Sequence, residues 1–204
     1  MTLQPWTKLG DETLARHLVF HVRRSRQRSP RTGVEIPFFL IDTANWVNIL
    51  PITEDGEIVF VRQWRHGSER VSLELPGGLI DPHEDDPIQG AIRELREETG
   101  HTAAQWVPLG DNNPNPAIMS NRCYVYLATG CRLAGELQQD LGEDIEVVKV
   151  PEQDLDGLIR AGELCNEHVE EEDEDGDQEH KHADKDQRIG LIFFEMRSII
   201  HPHM

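Results

Sequence analysis

Residues 76 to 101 read Pro76-Gly77-Gly78-Leu79-Ile80-Asp81-Pro82-His83-Glu84-Asp85-Asp86-Pro87-Ile88-Gln89-Gly90-Ala91-Ile92-Arg93-Glu94-Leu95-Arg96-Glu97-Glu98-Thr99-Gly100-His101. The second half predicts a helix with defined ends. Asp86 suits the N-cap, Pro87 the first helical position, and Gln89 completes a capping box with Asp86. Gly100 supplies a left-handed stop. Ile88, Ala91, Ile92, Leu95 and Thr99 recur at i, i+3, i+4, i+7 and i+11, which predicts one buried stripe. Upstream, Gly77-Gly78 allows a tight turn and a close approach of backbone to a ligand or metal.

Beside the stripe, Glu94, Glu97 and Glu98 stand at i, i+3 and i+4, so their carboxylates converge. Like charges at this spacing cost a helix roughly 0.2–0.5 kcal/mol per pair, and Arg93 and Arg96 offset part of that. A clustered carboxylate patch is also what a hard divalent cation needs. A solvated helix face is the bland alternative. It leaves the glycine pair and the caps unexplained.

At 204 residues the chain is long enough for a real core. Its formal charge of −18 argues against a nucleic-acid partner, which cationic patches would have to hold. Half of that charge lies in residues 167–187, where eleven Asp and Glu face two Lys for a net −9. That stretch is poor in apolar residues and predicts a mobile acidic insert. No apolar run approaches a membrane span, and the N-terminus lacks the apolar core of a secretory signal. Cys123, Cys131 and Cys165 have no framework or zinc spacing, so they read as reduced packing residues of a cytoplasmic protein.

Around the central stretch, residues 17–22 and 34–41 predict a strand hairpin. Arg23, Arg24, Arg26, Arg28 and Arg31 would lie at its solvated tip. Residues 1–15 show little periodicity. Residues 47–52 and 58–64 flank Glu54-Asp55-Gly56-Glu57 as a second hairpin, and 71–75 is a short strand running into the glycine pair. Further strands are expected over 106–109, 122–129 and 145–150, a helix over 151–164 and a last helix over 189–200. Strands alternating with helices predict a mixed sheet covered by helices, an α/β/α sandwich. An N-terminal extension over residues 1–45 precedes the main domain at 46–204.

The stretch 76–101 resembles the Nudix hydrolase box, with Gly78, Arg93, Glu94, Leu95, Glu97, Glu98 and Gly100 in register. Eight residues rather than seven separate Glu84 from Arg93. Either Glu84 is the first acid of the box with one residue inserted after it, or Asp85 takes its place. Beyond the box, the hairpin, Arg62-Gln63-Trp64-Arg65, Leu73-Glu74-Leu75-Pro76 and Pro116, fifteen residues past the box, are similar to the ADP-ribose pyrophosphatase branch.

The resemblance implies the α/β/α Nudix fold and an enzyme that uses Mg²⁺, with Mn²⁺ also possible, to hydrolyse a small-molecule nucleotide such as ADP-ribose. It implies that Glu94 and Glu98 hold metal together with the Gly77 carbonyl, and that Glu97 is a further ligand or orients water. It places Glu143 as general base or extra ligand, Arg65 and Pro116 on the substrate, and Arg93 as a brace for the glutamates. It also implies a homodimer formed through the N-terminal strands. Another nucleotide sugar, NADH or a dinucleoside polyphosphate is the nearest alternative substrate, and a non-catalytic ADP-ribose sensor is an alternative of another class.

Overall fold

The computed structural model describes residues 2–139, 142 and 144–164. Glu143, the acidic insert and the expected last helix lie outside the described residues. The chain divides into two compact units between Gln153 and Asp154.

Three antiparallel strands, β1 (Thr7–Arg16), β2 (Phe20–Arg28) and β3 (Glu35–Thr43), form a sheet in the order β1-β2-β3. The expected hairpin is therefore three strands. β1 had no legible signal because it is a polar strand, and what makes it a strand is its pairing with β2. Of the five arginines only Arg31 lies at the tip. Arg23, Arg24, Arg26 and Arg28 lie on the middle strand, where three of them meet carboxylates of the neighbouring strands. Arg23 donates to Asp42 at 2.8 and 2.9 Å and to Asp11 at 2.9 Å, Arg28 to Glu35 at 2.7 Å, and Arg24 pairs with Glu12. Cross-strand pairs of opposite charge are a sheet's own way of placing such residues. The tip is Ser29–Val34, where Gly33 at φ 72° makes the turn.

The second sheet contains β4 (Trp46–Thr53), β5 (Glu57–Arg65), β6 (Arg70–Glu74), β7 (His101–Thr102), β8 (Gln105–Asn112), β9 (Cys123–Leu133) and β10 (Ile145–Pro151). Its order is β10-β5-β4-β9-β7, with β6 on β5 and β8 on β9. The sheet is mixed, as expected. β4 and β9 run parallel, while β4–β5, β5–β6 and β8–β9 are antiparallel. Residues 47, 49, 50 and 58–61 are all buried, which explains why β4 and β5 read as nearly continuous apolar runs.

Helix α1 (Pro87–Thr99) packs Ala91 and Leu95 against Val47, Ile49, Tyr126, Ala128 and Cys131. Burying a side chain such as Leu95 contributes about 1.5–3 kcal/mol. Its ends are close to those expected. The Asp86 carboxylate accepts from the Ile88 N–H at 3.1 Å, one residue earlier than a capping box would have it, and Gly100 at φ 70° donates to the Arg96 carbonyl at 2.9 Å. The buried face differs from the apolar stripe. Ile92 is 47 % exposed, whereas Glu94 and Glu98 are buried with Ala91 and Leu95. The helix is rolled toward its carboxylates. Burial of a carboxylate is tolerable only where donors meet it, and those donors come from the glycine turn and Arg93.

Cys123 and Cys131 are buried, and burial pushes both thiols up to about 11, so neither is a ready nucleophile. The expected helix over 151–164 is shorter. Pro151 closes β10, Glu152–Asp154 make a single 3₁₀ turn, and α2 spans Leu155–Arg160 before Gly162 at φ 67° ends it. Among the described residues no helix is long and apolar enough to cross a membrane.

Candidate active site

The site is built on the segment that follows β6. Ile49 donates its N–H to the Pro76 carbonyl and Val47 donates to the Gly78 carbonyl, both at 2.9 Å, so residues 76–78 run extended beside β4. In an extended chain, neighbouring residues turn their polar groups to opposite sides. Gly77 therefore faces away from β4, and its N–H donates to Glu98 Oε2 at 2.8 Å. The Gly77 carbonyl shares that side, and no donor reaches it among the described residues.

Both glycines are required by contact rather than by φ. A Cβ on Gly77 would run into the Val47 carbonyl, and one on Gly78 would run into the Glu94 carboxylate. The backbone thus lies directly against a helix carboxylate. No other residue permits that.

Arg93 ties the helix to the approach loop. Its Nε donates to Glu84 at 2.8 Å, its Nη1 to Glu94 at 2.8 Å and to Glu97 at 3.0 Å, and its Nη2 to the Leu79 carbonyl at 2.8 Å. Glu84 also accepts from the Asp81 N–H at 2.7 Å. The acid braced by Arg93 is therefore Glu84. Asp85 is exposed, and the extra residue is absorbed in the bend that leads to the Asp86 cap. The Arg93 guanidinium beside Glu84 holds that carboxyl below the usual range, against an opposing effect of burial, and the Asp81 N–H adds to the lowering. Arg93 is held more basic than usual by the same partners.

The three helix carboxylates differ in depth. Glu98 is 3 % exposed and Glu94 8 %, while Glu97 lies nearer the rim. Three of the four acids here, Glu84, Glu94 and Glu97, share one guanidinium. Glu94, Glu98 and the Gly77 carbonyl form an oxygen-only donor set against backbone that carries no side chain. That set suits a hard divalent ion. Asp81, His83 and Glu84 also bring ligand atoms within 4.8 Å of one another. However, both Glu84 oxygens already serve Arg93 and the Asp81 N–H, so this group works as a brace.

Arg65, at the end of β5, makes a two-pronged ion pair with Glu74 of β6, Nε to Oε1 at 2.9 Å and Nη2 to Oε2 at 2.6 Å. Pro116 lies on the segment between β8 and β9. It lines a cavity of about 390 Å³ with Trp6, Arg23, Phe38, Leu40 and Met119, and that lining shares no residue with the carboxylate cluster. Sequence reasoning missed the Arg65–Glu74 pair. The two are nine residues apart and meet only because β5 and β6 pair.

A mixed sheet, a glycine turn and a capped helix that presents buried carboxylates to that turn define a hydrolase of the Nudix class. The chain belongs to the NUDIX domain family, whose model matches residues 43–172. It is 33 % identical over 159 residues to an ADP-ribose pyrophosphatase of Mycobacterium tuberculosis, covering 78 % of this chain and 76 % of that one. It is 32 % identical over 120 residues to an ADP-ribose pyrophosphatase of Bacillus subtilis, covering 58 % of this chain and 64 % of that protein. The fold is similar to the crystal structure of an ADP compounds hydrolase, with TM-score 0.72 and 23 % identity over 100 % of this chain and 98 % of the other.

Proposed function

We propose that the chain hydrolyses the pyrophosphate bond of a nucleoside diphosphate sugar, ADP-ribose first, to AMP and ribose 5-phosphate. The observation that carries this reading is the Gly77–Gly78 backbone seated against two buried carboxylates, the Gly77 N–H on Glu98 and Gly78 so close to Glu94 that a Cβ would run into it. The identity to two ADP-ribose pyrophosphatases supports the substrate class. Glu94, Glu98 and the Gly77 carbonyl would hold Mg²⁺ or Mn²⁺, with Glu97 a further ligand or a group that orients water. Bound metal would offset the charge of the pyrophosphate oxygens and make a nearby water more acidic. Glu143 would accept the proton of the attacking water. Water oxygen would then bond to one phosphorus while the bridging P–O bond breaks, the bridging oxygen leaving with the other phosphate. Arg65 and Pro116 would contact substrate.

Incubating purified protein and Mg²⁺ with ADP-ribose, another nucleotide sugar, NADH and a dinucleoside polyphosphate tests the reading. The expected result is the highest kcat/KM for ADP-ribose, with AMP released. A better turnover of another member would move the substrate assignment. Tight ADP-ribose binding without turnover would favour a sensor, a reading that the complete set of box carboxylates disfavours.

We further propose that two copies pair through the N-terminal strands. That sheet and its turns expose Leu14, Leu18, Val19, Val34, Ile36 and Phe39, apolar side chains that a partner could cover. Sedimentation at micromolar concentration should give twice the chain mass of 23.3 kDa. A monomer there would overturn the pairing.

A further inference from the structure

We infer that Glu74 is a positioning residue, which sets the direction in which Arg65 offers its guanidinium to an anionic phosphate group. The inference rests on the reading of Arg65 as a substrate contact. In the β5–β6 ladder Arg65 is opposite Arg70, while Glu74 is opposite Val61, four residues further along. Positions 61, 63 and 65 of β5 share one face with 70, 72 and 74 of β6. To reach Glu74, the Arg65 side chain must therefore fold back along that face, past Gln63 and Ser72, both buried beneath it. It does not project off the strand end into water.

The direction of that fold matters. Glu74 closes β6, and Leu75-Pro76 then lead directly into the Gly77 turn that meets Glu98. The Glu74 carboxylate thus draws a strand-end arginine toward the glycine turn. The depths of the pair fit this division of labour, since Glu74 is 8 % exposed and the Arg65 side chain 47 %. Two carboxylate oxygens take the Nε and one Nη of the guanidinium, which fixes the plane and heading of the whole group, as a single contact would not. Arg93 is committed to Glu84, Glu94, Glu97 and the Leu79 carbonyl.

Charge and positioning make opposite predictions for Glu74→Gln. Glu74 is a negative charge close to where an anion would bind, so if only its charge mattered, neutralising it would lower KM. Loss of the fork would let Arg65 swing off the strand end, so positioning requires KM to rise. Steady-state kinetics with ADP-ribose on Glu74→Gln, Arg65→Ala and the double variant decides. The expected result is a rise in KM of about tenfold in each single variant, kcat within about twofold of the parent, and a double variant no worse than Arg65→Ala alone. Partial unfolding lowers the apparent kcat and leaves KM unchanged, so KM remains readable in a weakened protein. Should Glu74→Gln give no folded protein, Glu74→Asp, which keeps the charge and shortens the reach, is expected to raise KM in the same direction. A raised KM in Arg65→Ala with an unchanged or lowered KM in the Glu74 variant overturns the inference. An unchanged KM in Arg65→Ala overturns the reading of Arg65 beneath it.

Discussion

Replacing Glu98 by Gln is expected to lower the hydrolysis of ADP-ribose by several orders of magnitude while the fold survives. Glu98 is 3 % exposed and accepts the Gly77 N–H at 2.8 Å. Glutamine keeps size, helix propensity and one acceptor oxygen, so that hydrogen bond can persist. Two effects on stability then oppose each other. Removing one of several like charges on the helix relieves roughly 0.2–0.5 kcal/mol per pair. The new amide group, however, brings donors into a buried place, and an unmet donor costs about 1–3 kcal/mol. The metal-free variant should therefore melt below the parent, by about 2–4 °C for each net kcal/mol lost. From the helix spacing alone an equal or slightly higher melting temperature would follow, and burial of the carboxylate changes that sign. Mg²⁺ should raise the melting temperature of the parent and raise that of the variant less, because only binding to the native state stabilises it. Melting curves with and without Mg²⁺, beside an AMP-release assay, check the three parts separately. Full activity in the variant would sink the assignment of Glu98. A variant that does not fold at all would make Glu98 a structural residue.

Arg93→Met should be the most damaging change to stability. Methionine keeps much of the side-chain volume but removes the cation shared by Glu84, Glu94 and Glu97. Removing one partner of a buried ion pair costs about 3–5 kcal/mol, because the carboxylates stay behind without it. For a chain of this size that is a fall in melting temperature on the order of 10 °C. Arg93→Lys should recover only part of it, since one ammonium cannot span four acceptors in a plane.

The variant should also change the response to acid. In the parent, Arg93 holds the Glu84 carboxyl below its ordinary value. A depressed carboxyl contributes stability that is fully present above the unfolded value of about 4.3 and is lost as pH falls through the folded value. Without Arg93 the largest part of that contribution is already absent at neutral pH, and only the share of the Asp81 N–H is left. The gap in melting temperature between parent and variant should accordingly begin to narrow as pH falls below about 4. A loss under about 1 kcal/mol at pH 7, or a gap that does not narrow in acid, would show that Arg93 is not the brace its contacts describe.

How much could be read beforehand depended on how local each signal was. The helix Pro87–Thr99 was legible because its cap, its first proline, its periodicity and its closing glycine lie within fifteen residues. The glycine turn and the β4–β5 hairpin were legible for the same reason. β1 was not, since nothing in its composition marks a strand before β2 is beside it. Most of the arginine cluster was misplaced because β2 runs on to Arg28, past the end its apolar alternation marks, and because Asp11 and Glu12 lie on β1, which carried no signal of its own.

Within the site, the sequence alone determined which residue types are present and that three carboxylates share a helix. Only the tertiary structure decided that Glu94 and Glu98 turn inward while Ile92 stays at the surface. It also decided that Glu84 rather than Asp85 meets Arg93, and that Glu74 captures Arg65. The reason is the same in each case. Periodicity assigns apolar residues to the core and charges to water, and it is right where nothing answers the charge. A charge goes inside only where donors from elsewhere in the chain are waiting for it, and folding is what brings those donors within reach.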